Sequence, residues 1–229
     1  MKNIAVIPAR GGSKRIPRKN IKDFNEKPLI AYPIIQALKS NLFDDVIVST
    51  DDEQIAAISE EYGAKVPFLR DKTLADDFTG TFAVVKDAYN RLKEEYTPDT
   101  VCCIYATAPL LCDNHLINAY SDFEKSEAKS LISVCEFPFP IQRAFIMDNE
   151  GFISYREPQY AMTRSQDLAK CYQDCGLFYI YSRDLLEGKA IDKTISYQMP
   201  RHRVIDIDTP EDWDYARALY NAVNSLNLE

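Results

Sequence analysis

Residues 4–21, with the sequence IAVIPARGGSKRIPRKNI, decide how the rest of the chain is interpreted. The segment opens with four apolar residues, Ile-Ala-Val-Ile, which are typical of a buried strand, and Pro8 ends this run. Gly11, Gly12 and Ser13 follow, and such small residues leave the backbone with few steric restrictions. The segment therefore predicts a buried strand followed by a loop that can approach a ligand closely.

This loop carries a concentration of positive charge. Residues 10–22 contain six cations and no acid, whereas the whole chain has 27 basic and 35 acidic residues and a net charge of −8. Without the stretch, 21 basic residues would face 35 acidic ones. Such a loop predicts a bound polyanion, held by backbone N–H groups and cationic side chains, and the alternative is a solvated basic loop. The six cations are Arg10, Lys14, Arg15, Arg18, Lys19 and Lys22.

The position of the loop favours the polyanion, because open parallel sheets bind ligands at the carboxyl ends of their strands. Neither of two common nucleotide-binding motifs is present. The Walker pattern Gly-x-x-x-x-Gly-Lys-[Ser/Thr] and the dinucleotide pattern Gly-x-Gly-x-x-Gly are both absent. A P-loop kinase is therefore disfavoured.

Composition limits the class of protein. A chain of 229 residues with 46% hydrophobic residues suits one α/β domain, with or without an appendage. The four apolar residues before Pro8 are too few for a signal sequence, and no apolar run approaches the length of a membrane span. We therefore expect a cytoplasmic protein with no membrane partner. The net charge of −8 argues against a general nucleic-acid-binding protein.

Six cysteines and two histidines raise the question of a metal site. Cys102 and Cys103 are adjacent in an apolar run, Cys171 and Cys175 are four residues apart, and no Cys-x-x-Cys occurs. These spacings favour free, mostly buried thiols over zinc ligands.

Apolar patterning predicts alternating strands and helices, and therefore a doubly wound, mostly parallel α/β sheet. Further strands are expected at residues 46–48, 65–68, 101–105, 131–134, 176–181 and 204–208. Helices are expected at about 28–38, 52–62, 81–96, 114–125 and 210–223. Pro33 is expected to kink the first helix, and Thr209 to cap the last one with Pro210 at its first position.

The alternation breaks at residues 137–175, which we interpret as an arm inserted into a single domain of residues 1–229. The arm is rich in Phe, Tyr and Pro and has no clear periodicity, with a hairpin expected around residues 149–151. Exposed aromatic residues in such a segment predict an interface, and we expect the arm to form a homodimer. The alternative is that these aromatic residues are core contacts.

Asp206 and Asp208 form an Asp-Ile-Asp pattern at the end of the last expected strand. Residues two apart on a strand point to one face, and two carboxylates there repel each other unless a cation lies between them. Mg²⁺ suits this arrangement, particularly beside phosphate. The alternative is that one carboxylate caps the following helix, a role that Thr209 already fills.

The cationic loop resembles the signature loop of the CMP-nonulosonate synthetases, cytidylyltransferases that activate sialic-acid-like sugars. Their pattern is close to Pro/Leu-Ala-Arg-x-x-Ser-Lys-x-x-Pro-x-Lys-Asn, and they end in Asp-x-Asp-Thr before the final helix, as residues 206–209 do. The matching loop residues are Ala9, Arg10, Ser13, Lys14, Pro17, Lys19 and Asn20. The resemblance implies Mg²⁺-assisted transfer of a cytidylyl group from CTP to a nine-carbon 2-keto acid sugar.

The resemblance also implies roles for individual residues. Asp208 would bind the metal, with Asp206 in support, and Arg10 and Lys19 would join them as catalytic residues. Arg70 would lie near the ribose or the phosphates, although a surface arginine paired with Asp71 or Asp76 is the alternative. The nucleotide-binding residues would be Ala9, Arg10, Gly11, Gly12, Ser13, Lys14, Lys19, Asn20, Arg70 and Thr107.

The sugar-binding pattern departs from that of the sialate enzymes. Tyr105 stands where the family often has a sugar-contacting glutamine, and Leu111 where an arginine is common, so N-acetylneuraminate is disfavoured. Residues 137–143, 164–168 and 172–176 instead resemble the subgroup that makes CMP-pseudaminic acid, with two substitutions in the last motif. The expected sugar-binding residues are Tyr105, Gln142, Arg164 and Gln166.

In the related synthetases this arm crosses to the active site of a second subunit. Arg164 would then pair with the carboxylate of the sugar, and the alternative is an ion pair with Asp167 on the arm itself. Synthetases of CMP-legionaminate, CMP-sialate or CMP-Kdo are alternative identities with the same chemistry. A non-catalytic nucleotide-binding subunit is an alternative of another class, and the intact Asp206 and Asp208 weigh against it.

Overall fold

The computed structural model describes residues 2–76, 79–191 and 193–228. Over these ranges it contains ten strands and six α-helices. The strands are β1 Asn3–Pro8, β2 Asp23–Phe24, β3 Lys27–Pro28, β4 Asp45–Ser49, β5 Thr100–Ile104, β6 Ser130–Glu136, β7 Phe145–Met147, β8 Ile153–Tyr155, β9 Tyr172–Ser182 and β10 Thr194–Gln198. The helices are α1 Ala31–Lys39, α2 Glu53–Glu61, α3 Thr81–Tyr96, α4 Asp113–Lys125, α5 Arg183–Leu186 and α6 Pro210–Ser225.

The centre of the fold is a six-stranded sheet in the order β10-β6-β9-β5-β1-β4. β1 pairs in parallel with β4 and β5, and β6 pairs in parallel with β10. Only β9 is reversed, pairing antiparallel with β5 and β6. The prediction of an α/β fold with a mostly parallel sheet is confirmed.

Both faces of the sheet are covered, and β1 shows why. Ala5 and Ile7 pack in one apolar cluster with residues of α1 and α4. Ile4 and Val6 point the other way and pack with residues of α3. A strand that is buried on both faces needs apolar residues at every position, which explains the continuous run at the start of the sequence.

A third apolar cluster joins the C-terminal helix to the segment after the cationic loop. Trp213 of α6 and Tyr32 of α1 each meet Phe24 edge-on, with ring centroids 5.4 and 5.5 Å apart. Ile207 and Ile16 are buried in the same cluster. Thr209 caps α6 and forms a capping box with Asp212, so the predicted start of this helix is confirmed. The cluster fixes the segment before α6 against the cationic loop.

The structure corrects three expectations about secondary structure. Residues 204–208 form no strand and follow a short 3₁₀ helix, so the argument that Asp206 and Asp208 share the face of a strand is wrong. The edge strand is β10 instead. Residues 65–68 form no strand: Lys65 and Leu69 make isolated bridges to Ile47 and Thr50, and Pro67 between them has no N–H to donate. Pro33 lies in the first turn of α1, where a helix needs no N–H donor, so the expected cause of a kink is absent.

The arm region lies between β6 and β9. β9 begins at Tyr172, so the last four residues of the expected arm, 172–175, belong to this strand and residues 137–171 form the connection. They contain the β7–β8 hairpin around the expected turn, together with three short 3₁₀ helices. In the part of the chain that is described, no helix is long and apolar enough to cross a membrane.

Candidate active site

A cavity of about 570 Å³ opens beside the carboxyl ends of β1 and β5. Three segments that are distant in sequence supply most of its wall: the cationic loop, the segment that leads into α3, and the turn after β5. Asp208, before α6, completes it. The lining residues are Pro8, Arg10, Ser13, Lys14, Arg15, Lys19, Asn20, Arg70, Leu74, Asp76, Thr79, Thr81, Val84, Tyr105, Ala106, Thr107 and Asp208.

Most of the residues expected to bind the nucleotide therefore lie in one cavity. Ala9, Gly11 and Gly12 are not among its lining residues. Ala9 is buried and donates its N–H to Ser49 O at 2.9 Å, which extends the pairing of β1 with β4. Asp206 is not a lining residue either. The roles of these residues stay predictions, and the cavity shows only which side chains line it.

An ion pair with α2 holds the cationic loop in place. Arg18, in the left-handed region with φ 56°, donates through both terminal nitrogens to the carboxylate of Asp52, and also to Gln54 Oε1 at 2.7 Å. Asp52 caps α2 by accepting from the N–H groups of Gln54 and Ile55. The hydrogen bond from Arg18 holds the pKa of Asp52 below its usual value, and Asp52 raises the pKa of Arg18. Arg18 therefore anchors the loop.

The backbone of the loop also has partners within the protein. Gly11 N donates to Asp51 Oδ1 at 3.0 Å, Ser13 N donates to Gly11 O at 3.0 Å, and Asn20 Nδ2 donates to Arg10 O at 3.0 Å. A Cβ atom on Gly11 would lie 2.7 Å from Asp52 Oδ2, so a glycine is needed at this close approach. The expected N–H cradle for phosphate is thus partly occupied, and cationic side chains dominate this wall.

Asp208 faces two cations of the loop. Lys19 Nζ donates to Ile207 O at 2.6 Å and lies 3.3 Å from Asp208 Oδ1. Arg15 lies 2.7 Å from the other carboxylate oxygen, Asp208 Oδ2. Sequence reasoning counted Arg15 among the cations but assigned it no role. Its pairing with a residue near the C-terminus could not be read from the local pattern.

Arg70 is a buried cation on the cavity wall, with only 5% of its surface exposed. Its ion pair joins Nη2 to Asp51 Oδ1 at 3.9 Å, and its Nε is buried without a hydrogen-bond partner. Burial lowers the pKa of Arg70, since it disfavours the charged form. Neither Asp71 nor Asp76 is the partner in this ion pair. A buried donor without an acceptor indicates a place for an electronegative ligand group.

Tyr105 is an uncharged polar residue that also lines the cavity. Its hydroxyl group is 2.9 Å from Thr81 Oγ1, at the first position of α3. Sequence reasoning missed Thr79 and Thr81, which also line the cavity, because a threonine before a helix is typical of an ordinary cap.

Two carboxylates could hold a metal ion at this site. The partly desolvated position of Asp206, together with the charge of Asp208, raises the pKa of Asp206. A cation near both groups would relieve this repulsion. The described residues contain no group of three or more His, Cys, Asp or Glu that could hold a metal. Mg²⁺ commonly takes one or two carboxylates and completes its shell with phosphate oxygens and water, so Asp208 on the cavity wall fits it, with Asp206 two positions earlier and outside the lining residues.

The arm residues expected to bind the sugar lie outside this cavity in the single chain. Arg164 Nε donates to Asp167 Oδ2 at 2.7 Å, which is the alternative pairing considered above, and its side chain is 72% exposed. Gln142 Nε2 donates to Ala169 O at 2.8 Å. Gln166 lines a second, smaller cavity at the base of the arm.

Comparisons with known proteins agree on one family. The family model for cytidylyltransferases matches residues 4–227. A pseudaminic acid cytidylyltransferase of Campylobacter jejuni strain 81-176 is 48% identical over 224 residues, covering 96% of this chain and 97% of that protein. A CMP-N,N'-diacetyllegionaminic acid synthase of Legionella pneumophila is 32% identical over 234 residues, covering 100% of this chain and 99% of that protein.

A solved structure supports the fold. A CMP:2-keto-3-deoxy-manno-octonic acid synthetase complexed with CTP aligns with a TM-score of 0.70 at 18% identity. The alignment covers 97% of this chain and 99% of that one. At this level of identity the likeness shows the architecture alone.

The Arg70→Met variant should lose nucleotide affinity without losing stability. Replacing a buried, poorly paired cation with an apolar side chain relieves a desolvation cost, so the melting temperature should stay within about 3 °C of the parent's or rise. The Kd for CTP should rise about tenfold or more, because a charged donor leaves the cavity wall. Calorimetric titration and thermal unfolding measure the two effects.

The matched control is Arg91→Met, which removes a more exposed arginine paired with Asp87 outside the cavity lining. This variant should keep the Kd for CTP within about twofold of the parent's value. An unchanged CTP affinity in Arg70→Met would contradict the assignment of Arg70 to the ligand.

Proposed function

This chain belongs to the cytidylyltransferase family, and from that membership we propose that it transfers the cytidylyl group of CTP to pseudaminic acid. The products are CMP-pseudaminic acid and pyrophosphate. One observation carries the choice of substrate: 48% identity over nearly the full length to a protein named for this reaction. The sequence motifs of the arm favour the same sugar.

The reaction needs positioning and charge stabilisation more than covalent chemistry by the protein. The anomeric hydroxyl of the sugar attacks the α-phosphorus in line, and the bond to the pyrophosphate group breaks. Arg10, Lys14 and Lys19 line the cavity and would hold the triphosphate and the departing pyrophosphate. Arg70 would donate through its unsatisfied Nε to the ribose or a phosphate. Ser13, Asn20 and Thr107 supply polar groups beside them.

Asp208 and Asp206 would hold the magnesium ion. When bound, Mg²⁺ polarises the α-phosphate and lowers the pKa of the attacking hydroxyl. Arg15 must release Asp208 for this to happen, because its guanidinium lies 2.7 Å from the carboxylate. Arg15 would then be available to contact a phosphate oxygen. The cytoplasmic location expected from the sequence stays a prediction.

The alternative sugars share this chemistry. The legionaminic acid synthase is 32% identical to this chain, against 48% for the pseudaminic acid enzyme, which favours pseudaminic acid. Tyr105 on the cavity wall replaces a glutamine expected in sialate enzymes and supports the same choice. The cationic wall and the two aspartates weigh against a non-catalytic nucleotide-binding subunit.

A homodimer would complete the sugar-binding site. The arm exposes large apolar side chains, including Phe139 at 79%, Phe152 at 69% and Met162 at 94%. Arg164 and Gln142 do not line the cavity of their own chain. A second copy whose arm reaches across would cover the apolar side chains and bring Arg164 to the partner's cavity. Arg164 would then exchange Asp167 for the carboxylate of the sugar.

The proposed activity is tested by pyrophosphate release with a panel of nucleotides and sugars. The protein with CTP, Mg²⁺ and pseudaminic acid should release pyrophosphate and form CMP-pseudaminic acid at a typical rate of about 1–1,000 s⁻¹. Legionaminic acid, N-acetylneuraminic acid and Kdo should give kcat/KM values lower by about tenfold or more. EDTA in place of Mg²⁺ should stop the reaction.

Controls with UTP and ATP should give little product. Equal rates with UTP would overturn the nucleotide assignment, and a preference for another sugar would overturn the choice of pseudaminic acid. Full activity in EDTA would refute the assignment of a metal ion to Asp206 and Asp208.

The Arg164→Ala variant tests the arm. The KM for the sugar should rise about tenfold or more, whereas the KM for CTP should stay within about twofold, because Arg164 is assigned to the sugar carboxylate alone. Light scattering at micromolar concentration should show a dimer for parent and variant. The control is Lys170→Ala, which removes an exposed arm cation paired with Glu136. A monomeric parent would refute the interface, and an unchanged sugar KM would refute the role of Arg164.

A further inference from the structure

A close ion pair joins Arg15 of the cationic loop to Asp208. Arg15 Nη2 lies 2.7 Å from Asp208 Oδ2, and Lys19 Nζ lies 3.3 Å from the other carboxylate oxygen, Oδ1. All three residues line the cavity. The signature pattern that the loop resembles leaves the position of Arg15 unspecified, so the resemblance assigns this residue no role.

The two cations on Asp208 are held to different degrees. Lys19 has only 17% of its side chain exposed, and its Nζ also donates to Ile207 O at 2.6 Å, so the backbone before α6 fixes it. The side chain of Arg15 is 64% exposed, and that of Asp208 is 36% exposed. Ion pairs between side chains this exposed are weak, because water screens them. Arg15 is therefore the cation that a ligand can displace at little cost.

A metal ion at Asp208 would compete with Arg15. The guanidinium occupies the Oδ2 side of the carboxylate, and a divalent cation bound there would repel it. Arg15 lines the same cavity as Arg10 and Lys14, so a polyphosphate held in this cavity would present oxygens to Arg15 as well. A guanidinium can bind phosphate as it binds carboxylate, through two parallel hydrogen bonds. The nucleotide therefore offers Arg15 a second partner when the metal ion takes the first.

From this geometry we propose that Arg15 is an exchangeable counter-ion of Asp208. In the ligand-free protein it neutralises the carboxylate. In the complex it moves to a phosphate oxygen of the nucleotide and leaves Asp208 to the metal ion. The inference rests on the proposed function for the identity of these two ligands. Since each ligand takes one half of the ion pair, the binding of either one favours the binding of the other.

Two binding measurements on the Arg15→Met variant test the inference without turnover. Mn²⁺ serves as a probe for Mg²⁺, and the paramagnetic resonance of the free ion gives its Kd in the absence of nucleotide. This Kd should fall about fivefold, because the competing cation is gone. The Kd for CTP in EDTA, measured by calorimetric titration, should rise about fivefold or more, because a phosphate partner is lost and Asp208 is left less compensated. Damage to the fold would instead weaken both.

Lys22→Met is the matched control for the loss of charge. Lys22 belongs to the same loop, lies over the ring of Trp213 and does not line the cavity. Both Kd values should stay within about twofold of the parent's, because a solvated charge outside the cavity is screened by salt.

A double variant tests whether Arg15 acts on the metal ion through Asp208. Asp208→Asn removes the carboxylate for which the two cations compete. In that background, adding Arg15→Met should change the Kd for Mn²⁺ by less than about twofold, because the competition no longer exists.

The outcomes distinguish this inference from the proposed function. A protein that shows both shifts but forms no CMP-sugar would overturn the proposed function alone. An active parent whose Kd for Mn²⁺ does not fall in Arg15→Met, or whose Kd for CTP does not rise, would overturn the inference alone. A tighter binding of Mn²⁺ that persists in the Asp208→Asn background, or that Lys22→Met reproduces, would also overturn it.

Discussion

The contact between Lys19 and the segment before α6 holds the cavity together. Lys19 Nζ reaches Ile207 O at 2.6 Å across a sequence separation of 188 residues. Ile207 is fully buried beside Ile16 and Trp213, so the contact is backed by an apolar cluster. Asp208 follows at once and faces the loop. This contact and the packing behind it thus position the carboxylate against the cationic wall.

The charges of the cavity are arranged for an anionic ligand. Arg70 is buried with a distant partner at 3.9 Å, and a poorly paired buried cation costs stability. Arg18 and Lys22, by contrast, serve the fold: Arg18 pairs with Asp52, and Lys22 lies over the ring of Trp213, 4.4 Å from its centroid. The other four cations of the loop, Arg10, Lys14, Arg15 and Lys19, line the cavity. A ligand carrying several negative charges would compensate the cost of Arg70.

Sequence patterns predicted the elements that are defined locally. The apolar run of β1, the bounds of α3 and the capping threonine of α6 depend on neighbours in sequence, and each is confirmed. β10 was missed because this edge strand alternates polar and apolar residues over only five positions. Residues 204–208 have the apolar alternation of a strand, but Ile207 is used in the cluster with Trp213 instead. The pairing of Arg18 with Asp52 and of Arg15 with Asp208 depends on long-range contacts, which no local pattern contains.

The most direct test of the account is the affinity of Lys19→Met for CTP. The substitution keeps the apolar stem of the side chain and removes the charge that joins the loop to Ile207 and Asp208. The account predicts that the Kd for CTP, measured by calorimetric titration, rises about tenfold or more, and that turnover falls about a hundredfold. For the control variant Lys22→Met, in the same loop, the Kd for CTP and the turnover should stay within about threefold of the parent's values. CTP affinity and turnover within about threefold of the parent in Lys19→Met would contradict the account.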